Sequence, residues 1–289
     1  MAVMNRSSLP QKQIRRIWRT PGSKLNWLFL LSSMGLLGWI VLIYRSAVAT
    51  QLYPGPYNDP FRQFGIVAFV LVLLVTAYTL RRRFVRSLPG KVQNWLWLHI
   101  WFGLISLCIA CMHDNFQSIT HDISFLSTRF TEAAYGTTAL YGLLALVLSG
   151  VIGRLLDLWQ ARVIAHEADT NGSGIARSVE ERLRELSLAL ERISAGKSAQ
   201  FKQSVAQALH TSHISLPPAL TPAEARDFDH ARAMLGEHAR LNRSLQRQLR
   251  AHLIIRAWRF VHIPLACLAV AIISYHSLFE LWKMLILHQ

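Results

Sequence analysis

Acidic residues are scarce in this chain: 16 aspartates and glutamates stand against 31 lysines and arginines in 289 residues, a formal charge of +15. Charge of either sign is thin, at 16% of residues, while 52% are hydrophobic and gather in long runs broken by arginine-rich patches. A water-soluble domain rarely has such a composition, which is that of an integral membrane protein. There are three cysteines, and Cys108, Cys111 and Cys267 all sit inside apolar runs, where they read as small membrane-core residues rather than a disulfide scaffold. No flavin or nucleotide fingerprint is present. Nucleic-acid binding would account for the basic balance, but the basic residues flank apolar runs and no recognition module is visible, so no nucleic-acid partner is expected.

Five runs approach the roughly 20 helical residues that a bilayer core requires: Leu25 to Tyr44, Phe64 to Leu80, Trp95 to Met112, Gly136 to Leu156 and Trp258 to Trp282. The first has features of a secretory signal, with Ala47-Val48-Ala49 as a cleavage site. Its apolar stretch is too long for that and Arg45 interrupts it, so it reads as an uncleaved helix. Arg6, Lys12, Arg15, Arg16, Arg19 and Lys24 precede the first run, and Arg81, Arg82, Arg83, Arg86 and Lys91 lie between the second and third. The opposite loops hold only Arg45 and Arg62 in one and Arg129 in the other. The bias predicts an N-in, C-out topology. The chain then divides into a basic cytoplasmic segment (1–24), spans one to four (25–156), a cytoplasmic helical insert (157–257) and the fifth span with the C-terminus (258–289).

The insert is polar and reads as helical. Val179, Leu183, Leu186, Leu190 and Ile193 repeat at four-three-four-three spacing with charged residues between, which makes one apolar seam that must pack against something. Asn171-Gly172-Ser173-Gly174 breaks the chain before this helix and Pro217-Pro218 after it. Thr221-Pro222-Ala223-Glu224 has the form of a capped start for a second long helix that can run on into the fifth span. A helical hairpin shielding the inner surface is favoured over a docking platform for a partner subunit.

Within the spans, histidine forms a pattern. His99 and His113 lie fourteen residues apart in the third run, and His262 and His276 fourteen apart in the fifth. Fourteen helical residues advance about 21 Å and fall about 40° short of four whole turns, so each pair shares a face near opposite ends of its span. Spans three and five run parallel, which sets His99 level with His262 toward the cytoplasm and His113 level with His276 toward the other side. Polar residues in a membrane are costly and usually functional. Two stacked His/His sites between neighbouring helices match the need of a planar iron macrocycle for two axial imidazoles, so the pattern points to two haems. Structural hydrogen bonding or a proton path would also place histidines within spans.

The neighbours fit this reading. Gly103, four residues after His99, would let a porphyrin approach the backbone, or simply pack a helix; Gly142, Gly150 and Gly153 read the same way. Trp95, Trp97, Trp101, Trp258 and Trp282 read as interfacial belt residues. Arg83, Lys91, Arg154 and Arg259 are candidates for pairing with propionates of the inner haem, with lipid headgroups as the alternative. His210, His213, His230, His238 and His252 fall in the insert and read as solvated; His210 with His213 lacks a third zinc ligand. His121, near Asp114, Asp122 and Glu132, is a candidate proton acceptor from a quinol, although a solvated loop is preferred. Cys108-Ile109-Ala110-Cys111-Met112-His113 misses the C-x-x-C-H of covalent haem attachment because Met112 displaces the histidine.

Leu98-His99-Ile100-Trp101-Phe102-Gly103 followed by His113, and Trp258-Arg259-Phe260-Val261-His262-Ile263-Pro264-Leu265 followed by His276, resemble the ligand helices of bacterial di-haem cytochrome b membrane subunits and of ferric reductase-like membrane domains. The resemblance covers spans three to five, including a helical insert before the last, and the first two spans only in general character. It implies two non-covalent haem b groups and electron transfer across the bacterial inner membrane between a quinone pool and a cytochrome c or iron-sulfur partner. No Pro-Glu-Trp-Tyr segment of the bc-complex quinol site is present. The resulting expectation is an all-α integral membrane protein, a five-span bundle with a cytoplasmic insert, acting as the di-haem subunit of a respiratory or photosynthetic complex and not completing a redox reaction alone. A standalone quinol-dependent reductase of an external acceptor such as ferric iron is the second reading, and a non-haem membrane scaffold the third.

Overall fold

A computed structural model of the chain describes residues 24–85, 87, 89–120, 132–171, 176–211 and 221–287. These residues form helices and connecting turns, with no strand among them. The helices are α1 (Lys24–Thr50), α2 (Phe61–Arg83), α3 (Val92–His113), the single-turn α4 (Gln117–Thr120), α5 (Glu132–Asn171), α6 (Ala176–Ser194), α7 (Ala199–Thr211) and α8 (Pro222–Leu287). Five of them, α1, α2, α3, α5 and α8, are long and apolar enough to cross a membrane. Their outward positions remain apolar: Trp39, Leu42, Phe260, Leu268 and Leu285 are each more than 60% exposed. Such a surface suits hydrocarbon rather than water.

The helices that carry the fourth and fifth apolar runs are longer than those runs. α5 has 40 residues and α8 has 66, so the expected boundaries at 157 and 257 fall inside helices, not in loops. The reason is local: polarity changes at those points, but no Gly or Pro interrupts the chain from Arg154 to Asn171 or from Glu237 to His262. Pro264 lies inside α8, in its apolar part, where neighbouring helices tolerate it.

The structure has two compact units. One comprises Leu155–Ala257, and the other the described parts of Thr20–Arg154 and Trp258–Gln289. In the first, the seam of α6 is satisfied within the chain itself. Val179 and Leu186 bury against Leu241 and Leu245 of α8, while Leu190 joins Phe201, Val205 and Ala208 of α7 and Phe228, Ala231 and Leu235 of α8. α7 is an element that the sequence reading, with its two-helix hairpin, did not separate; the turn at Gly196, whose φ is +77°, allows it to fold back. The start of α8 matches its expected cap, with Thr221 Oγ1 accepting from the Glu224 N–H at 3.3 Å and Glu224 Oε2 accepting from the Thr221 N–H at 3.5 Å.

In the second unit α3 packs against α1 and α2. Ile40 and Ala47 of α1, Phe61, Phe64, Ala68 and Leu71 of α2, and Ile105 and Ile109 of α3 form one core. A second core joins four helices: Phe69 and Val72 of α2, Ala139 and Leu143 of α5 and Ile273 of α8, with Leu107 and Ala110 of α3 packed on it. The basic N-terminal segment, Arg86, His121, Asp122, Arg129, the Gly172 to Gly174 break, His213 and Pro217-Pro218 lie outside the described residues, as do the side chains of Arg82, Arg83, Glu132, Asn171 and His210.

Candidate functional site

The four span histidines are half-buried, two on α3 and two on α8. His262 lies within electrostatic reach of His99, and His276 within reach of His113, which sorts the four into two pairs, each with one histidine from α3 and one from α8. Three of the four rings are tied at Nδ1. His99 Nδ1–H donates to the Val75 carbonyl at 3.1 Å, and His113 Nδ1–H donates to the Phe61 carbonyl at 2.8 Å. Nδ1 of His262 lies 2.7 Å from Ser149 Oγ. A neutral imidazole whose proton is held at Nδ1 presents its Nε2 lone pair, which is how a metal-ligating histidine is fixed in tautomer and orientation.

The fourteen-residue interval is not confined to the histidines. Phe61 and Val75, whose carbonyls hold the two rings of α3, are fourteen apart on α2. Gly136 and Gly150, fourteen apart on α5, face the two rings of α8: a Cβ at Gly136 would lie 3.3 Å from Cε1 of His276, and one at Gly150 would lie 4.0 Å from Cε1 of His262. Each flanking helix therefore supports both levels at the spacing that one helical repeat dictates. At the level of His113 and His276, Gly65 is one turn after Phe61, and its missing side chain lets His113 reach the carbonyl. A Cβ at Gly65 would lie 2.9 Å from both Cε1 and Nδ1 of that ring. Gly103 meets nothing within 4 Å, so open space lies beside it on the face that carries His99.

Between the levels the second core forms an apolar layer, with Leu107 and Ala110 between the histidines of α3 and Val270 and Ile273 between those of α8. The level of His99 and His262 is richer in aromatic and cationic contacts. Tyr78 tilts against His99 with ring centres 5.1 Å apart, and Trp258 stacks on His262 at 4.7 Å. The Arg154 guanidinium sits over the Trp97 ring at 5.7 Å, and the buried Trp97 Nε1–H has no acceptor. Trp97 and Trp258, expected as belt residues, are half-buried and make these contacts within the chain. Gly142 packs on Ala269, and Gly153 is required by the Trp258 ring, which occupies the space of a side chain there. Lys91 and Arg259 are exposed.

At the other level the chain after His113 is held tightly. Asp114 Oδ2 accepts from the Ser118 N–H at 2.7 Å, Tyr44 Oη donates to Asn115 Oδ1 at 2.9 Å, and Tyr141 Oη donates to the Ser118 carbonyl at 2.8 Å. Asn115 and Phe116 both have left-handed backbone, with φ of +50° and +59°. Asn adopts this readily, whereas Phe116 is held there by its neighbours, including an edge-on contact with Tyr44 at 6.1 Å. The cysteines are free, and Cys111 is buried.

Sequence reading did not find Phe61, Gly65, Val75, Gly136 or Ser149. The glycine interval on α5 was a legible signal; the carbonyl acceptors carry none, since any residue supplies one. Among the described residues no group of three or more His, Cys, Asp and Glu side chains is placed to hold a metal ion. The imidazoles come in twos, the number an iron already held by four macrocycle nitrogens accepts as axial ligands. No protein-family model, curated protein or solved structure matches this chain.

Proposed function

We propose that the chain is a di-haem b-type cytochrome of the bacterial inner membrane, N-terminus in and C-terminus out, which carries electrons between a quinone pool and a cytochrome c or iron-sulfur partner as a subunit of a larger complex. The observation that carries this reading is that four span histidines fall into two cross-helix pairs at one interval, with Nδ1 of three of them within hydrogen-bond distance of a fixed partner. A structural hydrogen-bonding role would not require histidines of two different helices to pair twice at one interval. Haem held non-covalently between two imidazoles supplies one-electron redox chemistry.

The residues present fit that group. His99 and His262 would hold the inner haem, and His113 and His276 the outer. The open space beside Gly103 and the small residues at Gly136 and Gly150 suit a flat macrocycle. The unpartnered Trp97 N–H next to the Arg154 guanidinium is a ready anion site, suited to a propionate, and is a better candidate than the exposed Arg259 or Lys91. The aliphatic layer between the levels keeps them separate, and the protein's part is to orient the ligands, exclude water and set the two environments apart.

The test is reduction without turnover. The purified chain should show a reduced b-type absorption band that a short-chain quinol develops in a stopped-flow mixer, while steady turnover with a soluble acceptor should need an added subunit. A chain that purifies without haem absorption after growth with ample haem would overturn the reading. Rapid ferric chelate reduction by the isolated chain would instead favour the standalone reductase.

A further inference from the structure

The ring of His262 is held differently from those of α3. Its Nδ1 faces a side-chain hydroxyl, Ser149 Oγ, at 2.7 Å, and that hydroxyl also lies 2.9 Å from the Leu146 carbonyl in the preceding turn. A carbonyl oxygen can only accept, and serine has one hydroxyl proton, so with that proton on the Leu146 carbonyl Ser149 accepts from His262. In this arrangement the imidazole proton sits on Nδ1 and Nε2 is left with its lone pair. Trp258 closes the arrangement from the other side, stacking on His262 at an interplanar angle of 22° and donating Nε1–H to the Ser149 carbonyl at 3.1 Å. Its ring fits only because Gly153 has no side chain. One residue of α5 therefore grips both His262 and the aromatic ring that lies on it.

We infer that Ser149 is a positioning residue for the inner cofactor, which sets the tautomer, the ring orientation and the basicity of His262 and so tunes one of the two redox centres independently of the other. A hydroxyl already donating to a carbonyl accepts more strongly than a free one, since chained hydrogen bonds polarise one another. Accepting the Nδ1 proton raises the electron donation of the imidazole and favours the oxidised form of the metal it ligates. The inference rests on the di-haem reading above, and the experiment separates the two.

The experiment compares wild type, Ser149→Ala, Ser149→Thr and, as a control, Ser106→Ala in the full-length purified protein. Ser106 donates to the Gly103 carbonyl at 2.9 Å in the same i to i−3 manner but makes no hydrogen bond to a span histidine. Haem per chain is counted first, then each centre is followed by redox titration and by the low-spin electron paramagnetic resonance signal, which responds to the orientation of axial imidazoles. Ser149→Ala should move one potential in the positive direction and displace one low-spin signal, or lose that haem alone. Ser149→Thr, which keeps the hydroxyl, should restore the wild-type values, and Ser106→Ala should leave both centres in place. Two haems with unchanged potentials and signals in Ser149→Ala, or equal disturbance of both centres, would overturn the role of Ser149. Absence of haem from the wild type would instead refute the di-haem reading itself.

Discussion

At Gly65 a methyl group would lie 2.9 Å from two ring atoms of His113, closer than packed atoms approach, while the ring itself is tied to the Phe61 carbonyl one turn earlier. Gly65→Ala should therefore displace the ring or break that bond, and the haem count should fall from two toward one with the outer signal lost. Gly136→Ala meets His276 at 3.3 Å, a contact that a shift of a few tenths of an ångström relieves, so both haems should survive with a milder spectral change. Pyridine haemochrome assay of the two variants side by side checks this order, and equal retention in both would show that His113 is not held as described. The four histidines were legible in the sequence because a repeated interval of polar residues within apolar runs is rare. What holds them was not legible, because the main-chain acceptors of Phe61 and Val75 leave no mark in residue identity, and Ser149 looks like any small polar residue in a membrane helix.

The helices themselves were largely written in the apolar runs and caps. All five long apolar helices coincide with runs that hydropathy picks out, and the Thr221-to-Glu224 capping pattern marks where α8 begins. The length of α5 was not written there, since a helix without Gly or Pro passes from apolar to polar sequence with no local signal of the change, whereas α8 runs on from its cap into the fifth apolar run, as its uninterrupted sequence allowed. The seam of α6 announced that it would be buried, but not against which helix. Leu186, 3% exposed among Val179, Leu241 and Leu245, should cost about 2–5 kcal/mol of the stability of its unit when replaced by alanine. Limited proteolysis should then cut within α6 and α7 of the Leu186→Ala protein while haem content is unchanged. The same unit should also be sensitive to acid. The hydrogen bond from the Lys197 ammonium, with its charge, holds the Asp227 carboxyl below its ordinary value of 3.8. A carboxyl more acidic in the folded chain stabilises the fold above the unfolded value, and that contribution is lost as pH falls through the lower folded value. Amide exchange in α7 and the start of α8 should accordingly quicken below about pH 4, and Lys197→Met should flatten this dependence.

For the molecule as a whole, the proposed orientation of the chain, and with it of the two levels of histidines, rests on the basic bias between its loops. A reporter fused after Gln289 should be active only outside the cytoplasm, and one inserted between Asn171 and Gly174 only inside. Both results are needed, since an insert found outside would exchange the inner and outer sites and the side on which each redox partner docks. The claim on which function depends is the pairing of imidazoles across α3 and α8, and counting haem in the four single histidine variants tests it most directly. The wild type should carry two haems per chain. His99→Ala and His262→Ala should each keep one and share a spectrum and potential, and His113→Ala and His276→Ala should each keep one and share the other. A wild-type count of two in any of these variants, or survivors that group by helix instead of by level, would contradict the account.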